Sequence, residues 1–305
     1  MSVEIVSIGE PLYELNQQAD GRFLPGFGGD TMNVAIAAAR LRARTAMVSK
    51  LGADPFGDAL EGLLRAEAVD VSALSRHGTA PTGLYLVTHG PAGHHFTYYR
   101  KGSAASLLTP ADIPAAMIGA ARYLHVSGIS QAISTTAREA VDHALAVARQ
   151  AGVKLSYDTN LRTRLWTAED ARPVVERTAR QADFLKTSLE DSAALLGLDD
   201  PARIAAHFLG LGCRIVVVTL GKAGVHLAQA GRQETIAGFA VEAVDATGAG
   251  DAFTGAFLAE LVAGKDAAEA ARFANAAAAL STLGYGAVQP LPRRAEVERF
   301  LRERH

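Results

Sequence analysis

Two carboxylates flank a run of very small residues in the stretch VDATGAGDAFTGAF, residues 244–257. Residues 247–250 carry so little side chain that their backbone amides can approach a ligand closely. The helix predicted from AFTGAFLAELVAG directs the positive end of its dipole at the same point, which predicts an anion site. Asp251 is suited to accept a proton from an alcohol that attacks a phosphoryl group. The alternative is that Asp251 only caps the helix.

The longer stretch DATGAGDAFTGAF resembles the signature of the PfkB, or ribokinase-like, family of carbohydrate kinases. This resemblance implies that Asp251 is the catalytic base. It also implies that Asp245 and Thr247 help to bind a monovalent cation, for which we expect K⁺. The residues that it assigns to the anion hole for the transferred phosphoryl group are Gly248, Ala249 and Gly250.

A second stretch, GFGGDTMNVAIAAARL at residues 26–41, is similar to the family's N-terminal sugar-binding motif. In that motif a Gly-Gly bend and polar side chains at a helix start meet the hydroxyls of the substrate. The matching positions are Gly29, Asp30 and Asn33. Taken alone, the stretch is also compatible with an ordinary helix start that Asp30 caps. The two motifs lie far apart and in the family's order, which supports the resemblance.

Further segments are similar to the parts of the family fold that bind ATP. The turn in TLGKAGV, residues 219–225, would let the backbone approach the nucleotide, although alone it is typical of a plain hairpin turn. The segment FANAAAALSTLGYGA, residues 273–287, resembles the helix and loop that flank the adenine and the cation. The ATP-binding positions implied are Ser188, Thr219, Gly221, Gly224, Gly248, Gly250 and Asn275.

The chain departs from the family at the Asn-x-x-Glu element that helps to organise magnesium. The segment DFLKTSLEDS has Ser188 at the first position and Asp191 at the fourth, with Glu190 beside it. Either Asp191 or Glu190 could therefore help to hold magnesium indirectly, and the sequence leaves this choice open. We expect Mg²⁺ itself because phosphoryl transfer from ATP requires a divalent ion to offset the charge of the phosphates.

Two arginine-bearing segments, FTYYRKGSAASLL and DTNLRTRLW, are similar to those of 2-keto-3-deoxygluconate kinases within the family. The resemblance places Tyr85, Tyr98, Arg100 and Arg162 around the sugar. A sugar acid needs guanidinium groups that can fork onto its carboxylate, whereas a neutral sugar needs Asp, Asn and Gln. The alternatives are that Arg100 is a solvated strand-edge residue and that Arg162 or Arg164 pairs with Glu169 or Asp170 on the surface.

These segments predict an ATP-dependent kinase that phosphorylates the terminal hydroxyl of 2-keto-3-deoxygluconate. A fructokinase, or another kinase of the family that acts on a neutral sugar or a nucleoside, is the alternative. A nucleotide-binding regulator without turnover is disfavoured because it would have no use for a base at the phosphoryl site. A dehydrogenase is disfavoured because SIGEPLYE lacks the glycine-rich dinucleotide turn after the first strand.

The elements that must position these residues alternate between short apolar runs and longer helical patterns. VEIVSIG, TAMVSKLG, RYLHVSG, KLSYDTN, DFLKTS and RIVVVTLG are typical of a parallel sheet that is covered on both faces. We therefore predict an α/β fold, a ribokinase-like three-layer sandwich with a mostly parallel central sheet. A β-hairpin predicted in residues 82–101 would join strands from about 10–27 in a small β-sheet lid. Residues 1–305 would form a single domain.

Bulk composition excludes several other classes of protein. A net charge of -2 gives no basic surplus for a phosphate backbone, so we expect no nucleic-acid partner. No apolar stretch reaches the roughly 18 residues of a membrane span, so we expect a cytoplasmic protein without a membrane partner. We expect Cys213 to be buried in a strand, and His94 and His95 to form an exposed turn. The family resemblance predicts a homodimer or higher homo-oligomer through the lid.

Overall fold

The computed structural model describes residues 2–90 and 93–304, apart from the side chains of residues 93 and 94. Within those ranges nine strands form one large sheet and four strands form a smaller one. The strands are β1 (Ile5–Ile8), β2 (Leu12–Gln17), β3 (Phe23–Gly28), β4 (Thr45–Gly52), β5 (Leu74–His77), β6 (Leu84–Gly90), β7 (Gly93–Tyr99), β8 (Tyr123–Ser127), β9 (Lys154–Asp158), β10 (Phe184–Ser188), β11 (Ile215–Thr219), β12 (Gly224–Gln229) and β13 (Arg232–Ala237).

The large sheet has the strand order β13-β12-β11-β10-β9-β8-β1-β4-β5. Neighbouring strands from β11 to β5 are parallel, and β12 and β13 add an antiparallel hairpin at one edge. The six apolar runs that the sequence marks as strands all lie in this sheet. They are rich in Val, Ile and Leu because helices cover both of their faces. The predicted mostly parallel central sheet is therefore confirmed.

Helices pack on both faces of the large sheet. In the described ranges they are α1 (Asp30–Arg40), α2 (Pro55–Ala66), α3 (Ala115–Gly119), α4 (Gly128–Ala132), α5 (Thr135–Ala151), α6 (Ala168–Ala179), α7 (Leu189–Leu196), α8 (Pro201–Leu211), α9 (Ala249–Val262), α10 (Ala267–Ser281) and α11 (Arg294–Arg302). One face packs through Val126, Leu185 and Val218 against α5, α6 and α8. The other packs through Phe184 and Val217 against α1, α9 and α10. The three-layer sandwich is therefore confirmed.

The smaller sheet has the strand order β3-β2-β6-β7. Two antiparallel hairpins, β2–β3 and β6–β7, join through the parallel pair β2–β6. Leu12, Tyr85 and Val87 form a small apolar core within this sheet. Its strands come from the two segments in which the sequence predicts lid strands. Residues 91–92, at the predicted Gly/Pro turn, and the side chain of His94 lie outside the described residues. The prediction that His94 and His95 form a turn is wrong, because both positions pair with β6 as part of β7, where His95 is exposed.

Cys213 is buried as expected, but the expectation that it lies in a strand is wrong. It lies in the connection between α8 and β11, and its Sγ donates to the Ala179 carbonyl at 3.0 Å. Cys213 is buried because this part of the connection packs against the core, whereas Arg214 beside it is exposed. Over the described ranges, no helix is both long and apolar enough to cross a lipid bilayer.

Candidate active site

Asp251 lies in the first turn of α9, but its side chain does not cap that helix. Gly248 is the N-cap, with a φ of 77°, a left-handed conformation that favours glycine. The Oδ2 atom of Asp251 instead accepts a hydrogen bond of 2.8 Å from Nδ2 of Asn33 on α1. The capping alternative is therefore wrong, and the Asp251 carboxylate is turned towards the start of the other motif helix.

Asp30, like Asp251, lies in the first turn of a helix that its side chain does not cap. Gly29 is the N-cap of α1, and no side chain caps this helix start. The Oδ2 atom of Asp30 accepts a hydrogen bond of 2.8 Å from Nδ2 of Asn160, just after β9. Asp30 is therefore not a cap either. The polar side chains of both motifs bind residues far away in the sequence, as expected where a site is built at the carboxyl ends of parallel strands.

The Asp251 carboxyl group is buried among other charged groups. Burial is the largest influence and, with the nearby carboxylate of Asp30, raises the pKa of Asp251 to about 7. Asp158 acts in the same direction, whereas the hydrogen bond from Asn33 and the ammonium group of Lys186 lower this pKa. A carboxyl group with a pKa near neutrality has the property that a general base needs at physiological pH.

The turn before α9 offers free backbone donors beside the Asp251 side chain. In the described chain, the amides of Gly248, Gly250 and Asp251 have no hydrogen-bond acceptor, whereas the Ala249 amide donates to the Ala246 carbonyl at 3.1 Å. The Ala249 N–H is therefore used in the turn that starts the helix, and its place in the anion hole stays a prediction. The other three amides lie at the positive end of the helix dipole and remain available to an anion.

A cavity of ≈ 660 Å³ opens onto Asp251. A larger cavity of ≈ 890 Å³ lies between the small sheet and residues 285–289, and it contains none of the predicted catalytic or substrate residues. The smaller cavity is therefore the one that brings the predicted substrate positions together. Its lining includes Gly29, Asp30, Asn33, Tyr85, Tyr98, Arg100, Arg162, Thr247, Gly248 and Asp251.

Arg100 is not a solvated strand-edge residue, because its side chain is only 11% exposed and forms an ion pair with Glu10. Glu10 is buried and also accepts a hydrogen bond of 2.7 Å from Oγ of Ser103. Burial raises the pKa of Glu10, and Arg100 and Ser103 oppose that effect. The Glu10 carboxylate therefore offsets much of the charge that Arg100 brings to the cavity.

Arg162 and Arg164 follow β9 and reach the same cavity. Nη1 of Arg162 donates to the Leu161 carbonyl at 2.9 Å, and Nη1 of Arg164 donates to the Phe96 carbonyl of the small sheet at 2.9 Å. Neither guanidinium group forms an ion pair with a carboxylate of the described residues, so the surface-pairing alternative is wrong. Their positive charge remains available to a ligand.

The two predicted tyrosines meet the cavity in different ways. Tyr85 on β6 is buried, and its hydroxyl donates to Glu14 on β2. Its ring lies 5.5 Å from the ring of Tyr98, which is 41% exposed. The hydroxyl of Tyr85 is thus used inside the small sheet. Only its ring is left for a substrate, whereas Tyr98 keeps exposed polar and apolar surface.

The end of β10 distinguishes the two acidic residues between which the sequence left a choice. Ser188 is the N-cap of α7, and its Oγ accepts a hydrogen bond of 3.0 Å from the Asp191 amide. Oδ2 of Asp191 accepts hydrogen bonds from Oγ1 of Thr159 at 2.9 Å and from the Leu161 amide at 3.0 Å. Glu190 is exposed. Asp191 is therefore the carboxylate that faces the strand ends, while Ser188 has a capping contact.

The β11–β12 connection has the predicted strand-turn-strand form, but its residues differ in what they offer a nucleotide. Gly221 has a φ of +59° and open space around it. A side chain on Gly224 would lie 2.2 Å from the Ile236 carbonyl, so close packing of β13 requires this glycine. Asn275 is buried and donates from Nδ2 to two carbonyls of β13 at 3.0 and 3.1 Å. Thr219 donates to a carbonyl of β10 at 3.4 Å.

Gly224 and Asn275 thus have a packing role within the fold, and the ATP contacts implied for them stay a prediction. The backbone carbonyls of β13 occupy the space beside Gly224 and the amide nitrogen of Asn275, because both residues hold this strand in place. The Nδ2 group of Asn275 is therefore already used within the fold. Gly221 keeps an open approach to its backbone, so it remains compatible with a nucleotide contact.

The carboxylate of Asp245 joins two loops beside the start of α9. Its Oδ1 atom accepts hydrogen bonds from the amide and the hydroxyl of Thr247 at 2.9 and 2.7 Å. Its Oδ2 atom accepts one from the Gly286 amide at 2.9 Å. Carboxylate and hydroxyl oxygens are the ligands that hard cations prefer. The donor set is therefore compatible with the predicted monovalent cation.

A set of polar residues near the carboxyl ends of the central strands was not predicted from the sequence. Each of them is more than nine-tenths buried, and burial of such groups is costly unless they are paired. The signal was present, because each ends or interrupts an apolar run such as SIGEPL, SYDTN or FLKTS. The members are Glu10, His125, Asp158 and Lys186.

Comparison with known proteins agrees with this geometry. Residues 3–294 match the pfkB family of carbohydrate kinases. The chain is 37% identical over 317 residues to fructokinase-2 of Solanum habrochaites, which covers 98% of this chain and 96% of that protein. It is 34% identical over 311 residues to a 2-dehydro-3-deoxygluconokinase of Thermoproteus tenax, over 98% and 94% of the two chains. The chain belongs to the pfkB family of carbohydrate kinases.

Solved structures of similar proteins share the whole fold. A fructokinase of Vibrio cholerae O395 with bound fructose, ADP and calcium ion has a TM-score of 0.89 at 31% identity, covering 98% of this chain and 99% of that one. An E. coli protein described as a ribokinase II, in complex with ATP and Mg²⁺, has a TM-score of 0.91 at 28% identity, covering 99% and 100%. The ribokinase-like fold is therefore confirmed.

Proposed function

We propose that this carbohydrate kinase transfers the γ-phosphoryl group of ATP to the terminal hydroxyl of 2-keto-3-deoxygluconate. The observation that carries the proposal is the positive charge in the cavity that holds Asp251. Arg100, Arg162 and Arg164 all line it, and of these only Arg100 forms an ion pair within the described chain. Guanidinium groups recognise carboxylates by paired, charge-assisted hydrogen bonds.

Asp251 is the group that takes the proton from the substrate hydroxyl. As the hydroxyl oxygen forms its bond to the γ-phosphorus, the bond to the bridging oxygen of ADP breaks and the proton moves to the Asp251 carboxylate. The amides of Gly248, Gly250 and Asp251 donate to the oxygens of the transferred group, where negative charge must be held. The products are the phosphate ester and ADP.

Asp191 is the residue that we assign to indirect magnesium binding. Its carboxylate faces the strand ends and has oxygen acceptors that suit a hard cation or its bound waters, whereas Glu190 is exposed. Magnesium usually takes only one or two protein carboxylates together with phosphate oxygens, so a single carboxylate can serve in this role. When bound, Mg²⁺ offsets charge on the phosphates of ATP.

A fructokinase is the second candidate, because Glu10 offsets the charge of Arg100. A neutral sugar needs hydroxyl acceptors and donors, and Asp30, Asn33 and Asn160 supply them around the cavity. The similarity to plant fructokinases at 37% identity supports this candidate as strongly as the 34% identity to the archaeal sugar-acid kinase supports the first. The two candidates differ in what Arg162 does.

A comparison of two substrates separates the candidates. The wild-type protein should prefer 2-keto-3-deoxygluconate to fructose by at least about tenfold in kcat/KM, because an unmatched guanidinium in a partly dry site costs about 2–5 kcal/mol. Arg162→Ala should lose most of this preference while its activity on fructose changes little. ADP release in a coupled assay measures both rates.

The matched control is Arg172→Ala on α6, an exposed arginine paired with Glu176 on the same helix. It should keep the wild-type preference. Equal or higher kcat/KM for fructose in the wild-type protein would reject the sugar-acid proposal and favour the fructokinase. An unchanged preference in Arg162→Ala would remove Arg162 from the carboxylate site.

We also propose that Asp245 and Thr247 help to hold K⁺. The cation would strengthen the link between the loop before α9 and the loop at Gly286, and so order the amides that receive the phosphoryl group. Activity should rise when K⁺ replaces a bulky organic cation at equal ionic strength. Asp245→Asn should remove most of this response. If the wild-type rate is the same in both salts, Asp245 has no role in K⁺ binding and only joins the two loops by its hydrogen bonds.

A homodimer through the small sheet is proposed as the assembly. Phe23 and Leu24 on β3 and Tyr99 on β7 are exposed large apolar side chains on the two edge strands of that sheet. Exposed apolar edge strands favour pairing with another chain. Sedimentation that gives the mass of one 31.9 kDa chain at micromolar concentration would contradict this assembly.

A further inference from the structure

Lys186 is a buried ammonium group beneath the start of α9. Its strand partner in the register of β9 and β10 is Asp158, and its Nζ lies 2.8 Å from Oδ2 of that residue. The two side chains are only 9% and 4% exposed. A Cβ atom built on Gly250 would lie 3.3 Å from the Lys186 Nζ. The ion pair is thus packed against the loop whose amides face the phosphoryl site.

The charges around this ammonium group are predominantly negative. Asp158 on β9, Asp251 on α9 and Asp191 on α7 act on Lys186, and Asp30 on α1 acts on the neighbouring Asp251. The neighbouring strand β8 contributes His125, which hydrogen-bonds to Ser156 at 2.9 Å. Burial lowers the pKa of His125 to about 4, so this ring is neutral near pH 7. Among these groups, Lys186 is the one that carries positive charge.

A buried carboxylate that must stay ionised needs a compensating charge, because both burial and like charges favour its protonated form. Burial, Asp30 and Asp158 all act on Asp251 in that direction. The Lys186 ammonium acts against them, and Asp158 holds it in place across the strand pair. The residue next to the ammonium group on α9 is Gly250, and a side chain at this position would crowd the Lys186 Nζ atom.

We propose that Lys186 is a positioning residue of the kinase, whose ammonium group, held by Asp158 beside Gly250, favours the ionised form of Asp251. This inference rests on Asp251 being the base. It assigns to the Lys186–Asp158 pair an electrostatic role in the proton transfer. Without the ammonium group, Asp251 would hold its proton to higher pH and would be a base in a smaller fraction of the molecules.

The test is the pH dependence of kcat/KM, which reports the ionisation of the free enzyme. Because a base must be unprotonated, kcat/KM of the wild type should rise with pH, and the midpoint of this rising limb should lie near pH 7. Lys186→Met removes a positive charge and should move this limb to higher pH by on the order of one unit. Asp158→Asn removes a negative charge and should move it to lower pH. The double variant Lys186→Met/Asp158→Asn should lie close to the wild type.

Lys265→Met is the matched control, because Lys265 is an exposed lysine paired with Glu269 on the surface. Its limb should coincide with that of the wild type. The double variant removes both members of the Lys186–Asp158 pair and leaves neither of them without its partner, so it tests the proposal even where Lys186→Met alone fails to fold. The proposal is supported if the rising limb moves in opposite directions in the two single variants. It is also supported if the limb moves in Asp158→Asn and returns to the wild-type position in the double variant.

A rate that falls equally at every pH in Lys186→Met, with an unmoved limb, would overturn the proposal. The proposal would also be overturned if the rising limb of Asp158→Asn did not move to lower pH. Failure of the base assignment gives a different result, because Asp251→Asn would then retain normal turnover whatever the Lys186 variants do. The two failures are therefore distinguishable in one set of pH profiles.

Discussion

Asp251→Asn should lower kcat by on the order of 10²–10⁴-fold, with little change in the KM for ATP or for the sugar. The substitution preserves the size of the side chain and can keep a contact with Asn33, but an amide cannot accept the proton of the hydroxyl. Steady-state rates at pH 8 measure the effect. Turnover within a few fold of the wild type would show that Asp251 is not the base.

The same variant carries its own control for folding. The pKa of Asp251 in the folded protein, about 7, lies above the ordinary value of 3.8 for an aspartate side chain. The ionised carboxylate therefore destabilises the folded state, and this cost grows as the pH rises from about 4 to 7 and is complete above 7. Asp251→Asn should thus unfold at a higher temperature than the wild type at pH 8, with a smaller difference at pH 5. A loss of activity together with a loss of stability at pH 8 would indicate misfolding instead.

Gly29→Ala should damage both stability and sugar use. The φ of Gly29 is +116°, a conformation that costs about 1–3 kcal/mol for a residue with a side chain. The added Cβ would lie 2.3 Å from the Glu10 carbonyl oxygen and 3.1 Å from the Cα of Pro11, and such overlap costs about 1–3 kcal/mol more. Because the backbone must move at the start of α1, Asp30 and Asn33 move with it.

We therefore expect a fall in kcat/KM for the sugar on the order of 10²-fold, together with a lower midpoint of thermal unfolding. Gly62→Ala on α2 is the matched control. It adds the same methyl group at an exposed helical position with no neighbouring atom within 4 Å. It should leave activity unchanged and stabilise the protein slightly, by about 0.5–1 kcal/mol. A Gly29→Ala protein with wild-type stability and kcat/KM would contradict the role assigned to the Gly-Gly bend.

The central sheet could be predicted from the sequence because its strands are buried on both faces. Such strands are nearly continuous apolar runs, and all six predicted ones lie in the sheet. Strand β5, with the sequence LSRH, was not predicted because it is a partly exposed edge strand and carries polar residues. The prediction that Cys213 lies in a strand was wrong for the opposite reason, because a residue in a connection can be apolar and buried as well.

The site could be predicted only in part, for a physical reason. Motif residues such as Asp251 and Asn33 lie on local glycine-rich turns whose pattern is visible in the sequence. Contacts between elements are not visible there. The pairing of Arg100 with Glu10 and of Lys186 with Asp158 depends on strand order and register, which bring together residues 90 and 28 positions apart. The same limit explains Asn275, whose partners are backbone carbonyls of β13.

The most direct test of the central claim is a crystal structure of the protein with 2-keto-3-deoxygluconate and a non-hydrolysable ATP analogue. We predict that the terminal hydroxyl lies about 3 Å from the Asp251 carboxylate, with the terminal phosphate over the amides of Gly248 and Gly250. The substrate carboxylate should contact the guanidinium group of Arg162. A terminal hydroxyl bound away from Asp251, or a substrate carboxylate directed into solvent away from Arg162, would contradict the account.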